Sequence, residues 1–206
     1  MKSIQRELSV KKMQAFIMMM LFGVTASASA QAGTYKSDKF PQIKIDNFGQ
    51  VDDHLYRGEQ PKEEDYKALA ELGIKVIVDL RNDPVPYAKQ ATEAAGMRYV
   101  NIPMSDKKRP QDAQIEQFLA LTQNKADGPF YIHCRGGRHR TGVMGAVYRY
   151  TYDGWNYDQV YKEMKQYDYY SRWGHGALGD YVEDYYKNMS TRSVNTSSGT
   201  ASSTPQ

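Results

Sequence analysis

The stretch from Phe130 to Tyr148, FYIHCRGGRHRTGVMGAVY in one-letter code, is the most informative part of this chain about its fold. It begins as an apolar, strand-like run, passes through a loop with two glycines, and ends in a helix-like run. The only cysteine, Cys134, stands where strand gives way to loop, and Arg140 follows six positions later. Because ligands of parallel α/β sheets bind at the carboxyl ends of strands, we expect a polar site here.

The loop between Cys134 and Arg140 has the composition of an anion-binding site. Gly136 and Gly137 permit backbone conformations that other residues avoid, and consecutive amides before a helix N-terminus attract phosphate. Arg140 offers a planar fork for two phosphoryl oxygens. Such surroundings lower the pKa of a thiol. We therefore predict that Cys134 attacks phosphorus as a thiolate and forms a cysteinyl-phosphate intermediate.

The remaining residues of this stretch have supporting roles. Thr141 is predicted to hydrogen-bond the sulfur and help it leave as a thiolate, and His133 to orient the loop rather than act as a base. The residues between the cysteine and the essential arginine are predicted to bind substrate: Arg135, Gly136, Gly137, Arg138 and His139.

Residues 43–189 alternate short apolar runs with helical patterns, and we predict that they form one domain. The predicted strands cover residues 55–58, 74–80, 97–102 and 129–133. The predicted helices cover 61–72, 87–95, 111–123 and 140–152, and the segment 155–189 is helical in pattern. This alternation is typical of parallel sheets covered by helices. The expected fold is α/β, with a central, mostly parallel sheet flanked by helices.

Both ends of the chain lie outside this domain. Residues 1–30 combine a basic start, an apolar run from Ala15 to Val24 and the small residues Ala28-Ser29-Ala30, which together predict a secretory signal peptide; an uncleaved anchor or a disordered tail is the alternative. Residues 31–42 form a polar lead-in, and residues 190–206, rich in serine and threonine, are predicted to be disordered. We expect a periplasmic or secreted protein without a stable membrane span after cleavage.

The net charge of +3 gives no reason to expect nucleic acid as a partner. Residues 1–30 hold four of the 27 basic residues but one of the 24 acidic ones, so the remainder is neutral. Gly174-His175-Gly176 predicts a turn, and no cluster nearby suggests that His175 is a metal ligand.

The stretch from His133 to Gly142 resembles the signature of cysteine-dependent protein tyrosine and dual-specificity phosphatases: His-Cys, five residues, Arg, Ser or Thr, and Gly. Its ending from Arg138 is similar to that of atypical dual-specificity phosphatases of plants, fungi and bacteria. A second block, within residues 55–81, resembles the opening of those domains, and the resemblance covers about residues 50–170. It implies hydrolysis of phosphotyrosine or phosphoprotein without a metal or other cofactor.

The leaving oxygen needs a proton, for which the expected donor is an aspartate on a loop facing the nucleophile. The Trp-Pro-Asp triplet of receptor-type tyrosine phosphatases is absent from this chain. Asp106 is the first candidate, because dual-specificity phosphatases carry their acid on the equivalent strand-to-helix loop. Asp83 is the second, although a turn-forming role is the alternative for it. Asp79 is predicted to be structural.

The positive charge around Arg140 leaves a second substrate class open. Arg135, Arg138 and His139 suit a substrate with several phosphates, such as an inositol polyphosphate or a phosphoinositide head group. The loop is also similar to that of inositol-pyrophosphate-cleaving atypical phosphatases. The alternative is that these side chains are solvated and merely raise the local potential.

Three other classes of protein share parts of this loop. Arg140 with Thr141 disfavours a rhodanese-like sulfurtransferase, and the absence of resolving cysteines disfavours an arsenate reductase. A non-catalytic phosphate-binding module would typically lack the cysteine or the arginine, and both are present.

Overall fold

The computed structural model describes residues 39–198, with side chains to residue 189. Five strands form one sheet: β1 (Gly49–Gln50), β2 (Leu55–Gly58), β3 (Val76–Arg81), β4 (Arg98–Met104) and β5 (Phe130–His133). The helices are α1 (Asp65–Glu71), α2 (Ala88–Ala94), α3 (Asp112–Gln123), α4 (His139–Tyr148), α5 (Tyr157–Gln166) and α6 (Gly176–Ser198). A 3-10 turn (Lys125–Asp127) precedes β5, and a π-helical turn (Arg149–Asp153) extends α4.

The sheet has the strand order β1-β2-β5-β3-β4. Strands β2, β5, β3 and β4 pair in parallel, and only the short edge strand β1 is antiparallel. Strand β5 lies in the middle and is buried along its length, as expected for a parallel strand covered on both faces. The predicted α/β fold with a mostly parallel central sheet is confirmed.

Alternate residues of the strands point into two separate cores. On one face, Ile132 and Val78 pack against the apolar side chains of α4. On the other face, Tyr131 and Ile77 pack near Leu69 of α1. This alternation follows from the two-residue period of a strand. Helix α4 is buried throughout, because the sheet covers one side of it and α3, α5 and α6 contact it elsewhere. The site loop is therefore held between a buried strand and a buried helix.

The segment 155–189 is not one helical unit, because the loop 167–175 separates α5 from α6. The backbone is left-handed at Asp168 (φ 57°), Trp173 (φ 62°) and Gly174 (φ 87°). A helix does not continue through such residues. This loop carries Tyr170 and His175 toward the catalytic loop.

The chain termini differ in how much of them the structure describes. Helix α6 continues to Ser198, past residue 190, where the sequence predicts a disordered tail; extending a packed helix adds one hydrogen bond for each residue. Residues 199–206 and the predicted signal segment 1–30 lie outside the described residues. Within residues 39–198, no helix combines the length and apolarity needed to cross a membrane.

Candidate active site

Residues from five loops meet in a pocket of about 580 Å³. Four of these loops follow the carboxyl ends of parallel strands. The loops after β2, β3 and β4 supply Glu59, Asn82 with Asp83, and Asp106, in that order. The loop after β5 supplies Cys134 and most residues up to Arg140, and the loop 167–175 supplies Tyr170 and His175. The structure thus brings Cys134, Arg140 and Asp106 together at one edge of the sheet, whereas the predicted residues Gly137 and Thr141 do not line the pocket.

Cys134 follows the last residue of β5, and its side chain is buried, with 3% exposed. Burial alone would raise the pKa of the thiol, but four interactions outweigh it and hold the pKa below its ordinary value. The Thr141 hydroxyl, the charge of Arg140 and the backbone amides of Thr141 and Arg138 all stabilise the thiolate. The cause is the one expected of a thiolate at a helix N-terminus.

Thr141 lies in the first turn of α4 and is fully buried. Its hydroxyl has no hydrogen-bond partner within residues 39–198. The hydroxyl contributes to the lowered pKa of Cys134, which agrees with the predicted role of Thr141 in stabilising the thiolate.

Arg140 is anchored by one end of its guanidinium group. Its Nη1 atom donates to Asn82 Oδ1 at 3.1 Å and to the carbonyl oxygen of Met104 at 3.2 Å. Its Nε atom is buried and has no hydrogen-bond partner within residues 39–198. An unpaired buried donor is costly, and a bound phosphoryl oxygen would satisfy it. Arg140 is therefore oriented to receive an anion before the anion arrives.

Gly137 is required by both its backbone angle and the space around it. Its φ is +64°, and a Cβ atom there would lie 2.5 Å from the carbonyl group of Gly58. Arg57, fully buried, donates from Nη2 to the carbonyl oxygen of Gly137 at 3.1 Å. The side-chain nitrogen Nδ2 of Asn47 donates a hydrogen bond to the carbonyl oxygen of Gly136 at 3.1 Å. Residues near the start of the domain, Asn47 and Arg57, thus hold the backbone of the catalytic loop by hydrogen bonds.

His133 is fully buried behind the loop and stacks on Tyr131, with ring centroids 5.8 Å apart. Burial lowers the pKa of His133 to about 4, although the nearby Asp79 opposes this shift. Burial keeps the imidazole neutral, but neither of its ring nitrogens has a hydrogen-bond partner within residues 39–198, so the orienting role stays a prediction. Asp79 accepts hydrogen bonds from the Arg81 amide and the Tyr99 hydroxyl, which agrees with a structural role.

The two additional arginines of the loop are paired with acids at the pocket rim. Arg135 Nη2 lies 3.1 Å from Asp83 Oδ2, and Arg138 Nε lies 4.0 Å from Asp168 Oδ2. Both arginine side chains are exposed, at 74% and 45%. His139 is buried, and burial, with the neighbouring His175, lowers its pKa to about 4. Because Asp83 also pairs with Arg81, these acids offset the positive charge of the loop only in part.

The two acid candidates differ in their surroundings. Asp83 accepts hydrogen bonds from Arg81, which hold its pKa below the ordinary value, and Arg135 adds to the effect. A carboxylate stabilised in this way is a poor proton donor. Asp106 also lines the pocket, but its carboxylate forms no ion pair with other described residues. The geometry favours Asp106 over Asp83.

Four further residues line the pocket that no sequence pattern marks as functional: Glu59, Asn82, Tyr170 and His175. Asn82 belongs to a turn signal, and nothing in that signal indicates a partner for Arg140. His175 was recognised only as part of a turn, because its neighbours in the sequence hold no ligand cluster. Within residues 39–198, no group of three potential metal ligands is present; the absence of metal, cofactor and nucleic acid stays a prediction.

A nucleophilic cysteine, a fixed arginine and a loop of amides at a strand end define the class of cysteine-dependent phosphatases. The family model described as DSP-PTPase phosphatase fused to NAD+ kinase matches residues 41–176. The chain belongs to this family, and the predicted resemblance and enzyme class are confirmed.

The relatives of this chain include protein phosphatases and an inositol diphosphatase. The chain is 29% identical to a probable tyrosine-protein phosphatase, DG1060 of Dictyostelium discoideum, over 59% of this chain and 75% of that protein. It is 29% identical to the dual specificity protein phosphatase TpbA of Pseudomonas aeruginosa, over 61% and 52%. It is 27% identical to the inositol diphosphatase SIW14 of Saccharomyces cerevisiae, over 61% and 46%. The chain thus spans about half the length of the last two.

Solved structures show the same fold. The catalytic core of SIW14 from S. cerevisiae superposes with a TM-score of 0.62 at 22% identity, covering 76% of this chain and 96% of that one. The structure of TpbA from P. aeruginosa superposes with a TM-score of 0.59 at 24% identity, covering 70% of this chain and 86% of TpbA.

Proposed function

We propose that this protein hydrolyses phosphotyrosine or phosphoprotein through a cysteinyl-phosphate intermediate. The observation that carries this proposal is the Cys134 thiol, with its lowered pKa, beside an Arg140 guanidinium that keeps one buried donor unpaired. The amides of the loop and the N-terminus of α4 complete the anion site.

The reaction has two displacements at phosphorus. The Cys134 thiolate forms a sulfur–phosphorus bond as the ester oxygen–phosphorus bond breaks, and Asp106 gives its proton to the leaving oxygen. A water molecule then attacks phosphorus, its proton passes to the Asp106 carboxylate, and the sulfur leaves as a thiolate assisted by Thr141. Inorganic phosphate is the second product, and both side chains return to their starting states.

The rim of the pocket favours a substrate with a single phosphate on an aromatic ring. Arg135 and Arg138 are paired with acids, and Glu59 adds a further carboxylate. Tyr170 contributes an aromatic wall, and aromatic rings pack well against one another. TpbA has been solved in complex with phosphotyrosine.

An inositol polyphosphate or phosphoinositide is the second candidate. It is supported by the similarity to SIW14 and by Lys108, which is exposed on the loop that follows β4. Against it, Arg109 of that loop is paired with Asp184 of α6 at 2.8 Å.

A direct comparison of substrates tests this choice. We expect kcat/KM for a phosphotyrosine peptide to exceed that for an inositol polyphosphate by about tenfold or more, because Asp83, Asp168 and Glu59 offset part of the positive charge around the pocket and repel additional phosphates. Steady-state release of inorganic phosphate measures both. A preference for the inositol polyphosphate would overturn the phosphotyrosine assignment and leave the cysteine chemistry intact.

Asp106→Asn is expected to lower kcat on phenyl phosphate by about 10²-fold, the contribution typical of a general acid. The same change should affect p-nitrophenyl phosphate little, since that leaving group departs without a proton. Asp83→Asn is the matched control and should show no such dependence on the leaving group. If the two variants exchange these behaviours, Asp83 is the acid.

We also propose that the protein acts in the periplasm or outside the cell. The support is the three-part pattern of residues 1–30, including Ala28-Ser29-Ala30. N-terminal sequencing of the exported protein checks it: a start at Gln31 is expected, and a retained Met1 would contradict cleavage.

A further inference from the structure

We propose that His175 is a positioning residue that holds the Asp106 loop against the start of α4; this inference rests on the proposed function, in which Asp106 is the acid. His175 comes from the loop 167–175 and is buried, with 8% exposed. Its Nδ1 atom donates a hydrogen bond to the backbone carbonyl oxygen of Asp106 at 2.6 Å. The imidazole thus fixes the main chain of Asp106 and leaves its carboxylate unengaged.

The ring of His175 is itself held in place by His139. The two imidazoles stack with centroids 3.7 Å apart and an interplanar angle of 13°. His139 Nε2 donates to the carbonyl oxygen of Tyr170 at 3.1 Å, and the ring of Tyr170 meets His139 edge-on at 4.4 Å. His139 directly precedes Arg140 at the start of α4. His175 therefore connects the acid loop to the helix that carries the phosphate-binding arginine.

The segment from Met104 to Asp106 is consequently tied at both ends. Arg140 binds the carbonyl oxygen of Met104 at 3.2 Å, and His175 binds that of Asp106. A general acid must lie within hydrogen-bond reach of the leaving oxygen, and a small displacement is costly in rate. Loss of the His175 bond frees only the end that bears the carboxylate. The expected defect is in proton donation, while phosphate binding persists.

Two substitutions separate the hydrogen bond from the ring stack. His175→Phe keeps an aromatic ring over His139 but removes the donor. His175→Asn keeps a donor, because the amide nitrogen of asparagine occupies nearly the position of Nδ1, but removes the ring. Both are assayed on phenyl phosphate, which needs the acid, and on p-nitrophenyl phosphate, which does not.

We expect His175→Phe to lower kcat on phenyl phosphate by about tenfold, with less than about a twofold change in KM or in the rate on p-nitrophenyl phosphate. His175→Asn keeps the donor but loses the stack that aligns it, so we expect a smaller loss of about threefold on phenyl phosphate and less than about a twofold change on p-nitrophenyl phosphate. When Asp106 is already asparagine, adding His175→Phe should lower kcat on phenyl phosphate by less than about twofold relative to Asp106→Asn alone. The reason is that the carboxyl group that His175 positions is then absent.

Three results would overturn the proposal: an equal loss on both substrates, an asparagine variant as defective as the phenylalanine one, or a full additional loss in the Asp106→Asn background. If the phenylalanine variant does not fold, His175→Gln takes its place, since its amide reaches the wrong position for Nδ1. Failure of the proposed function has a different signature. In that case the parent protein shows no hydrolysis of p-nitrophenyl phosphate that depends on Cys134.

Discussion

Cys134→Ser is expected to lower kcat on p-nitrophenyl phosphate by at least about 10⁴-fold, as loss of a covalent nucleophile does in other enzymes. A serine hydroxyl remains protonated under conditions in which the Cys134 thiol, with its lowered pKa, is ionised. Steady-state kinetics measure the loss. Binding of inorganic phosphate, measured by thermal shift, should persist because the loop amides and Arg140 are unchanged.

The ionisation itself is accessible in the parent protein. Alkylation by iodoacetamide should reach half its maximal rate at a pH below the ordinary thiol pKa of about 8.5, because Thr141 and Arg140 stabilise the thiolate. Thr141→Val should move that midpoint to higher pH. Hydrolysis that survives Cys134→Ser would refute the covalent mechanism, and phosphate binding without hydrolysis in the parent would indicate a binding module.

Arg140→Lys is expected to lower kcat by about 10²- to 10³-fold, the effect of losing a transition-state donor. The guanidinium group of Arg140 has separate donors for the protein and for the ligand. Its Nη1 atom binds Asn82 Oδ1 and the carbonyl oxygen of Met104, and its buried Nε atom has no partner and is the donor assigned to the phosphoryl group. A lysine ammonium is a compact point charge and does not reproduce this fork. The phosphotyrosine peptide should show the same loss as p-nitrophenyl phosphate, because both present the same group to Arg140.

Arg98→Lys is the matched control for this experiment. Arg98 is exposed and begins β4, at the opposite end of the strand from Met104. The same exchange there should leave kcat within about twofold, as surface substitutions usually do. A lysine at position 140 that retains parental kcat would show that charge alone suffices and that the geometry described for Arg140 is unnecessary.

The location and chemistry of the site follow from residues that are close together in the sequence. The buried run of β5, Gly137 and the start of α4 are local signals, because strand burial, left-handed backbone and helix initiation each depend on a few neighbouring residues. Cys134 and Arg140 lie on the two sides of this loop, so their proximity needs no long-range contact.

Features that depend on contacts between distant residues could not be predicted from the sequence. Segment 155–189 has an apolar, aromatic pattern that continues across the loop 167–175, and only the backbone at Trp173 and Gly174 interrupts it. The charges of Arg135 and Arg138 were visible in the sequence, but their pairing with Asp83 and Asp168 was not.

The sequence alone predicted the α/β class, the catalytic loop and its thiolate chemistry, and it gave Asp106 as the first of two candidates for the acid, ahead of Asp83. The contacts that hold these groups in place join residues far apart in the sequence and appear only in the folded protein. Arg140 meets Asn82 across 58 positions of the chain, and His175 meets Asp106 across 69. Contacts of that span depend on how strands and helices pack, so no local pattern encodes them. In the folded protein Asp106 lines the pocket, and the imidazole of His175 binds the backbone carbonyl oxygen of Asp106.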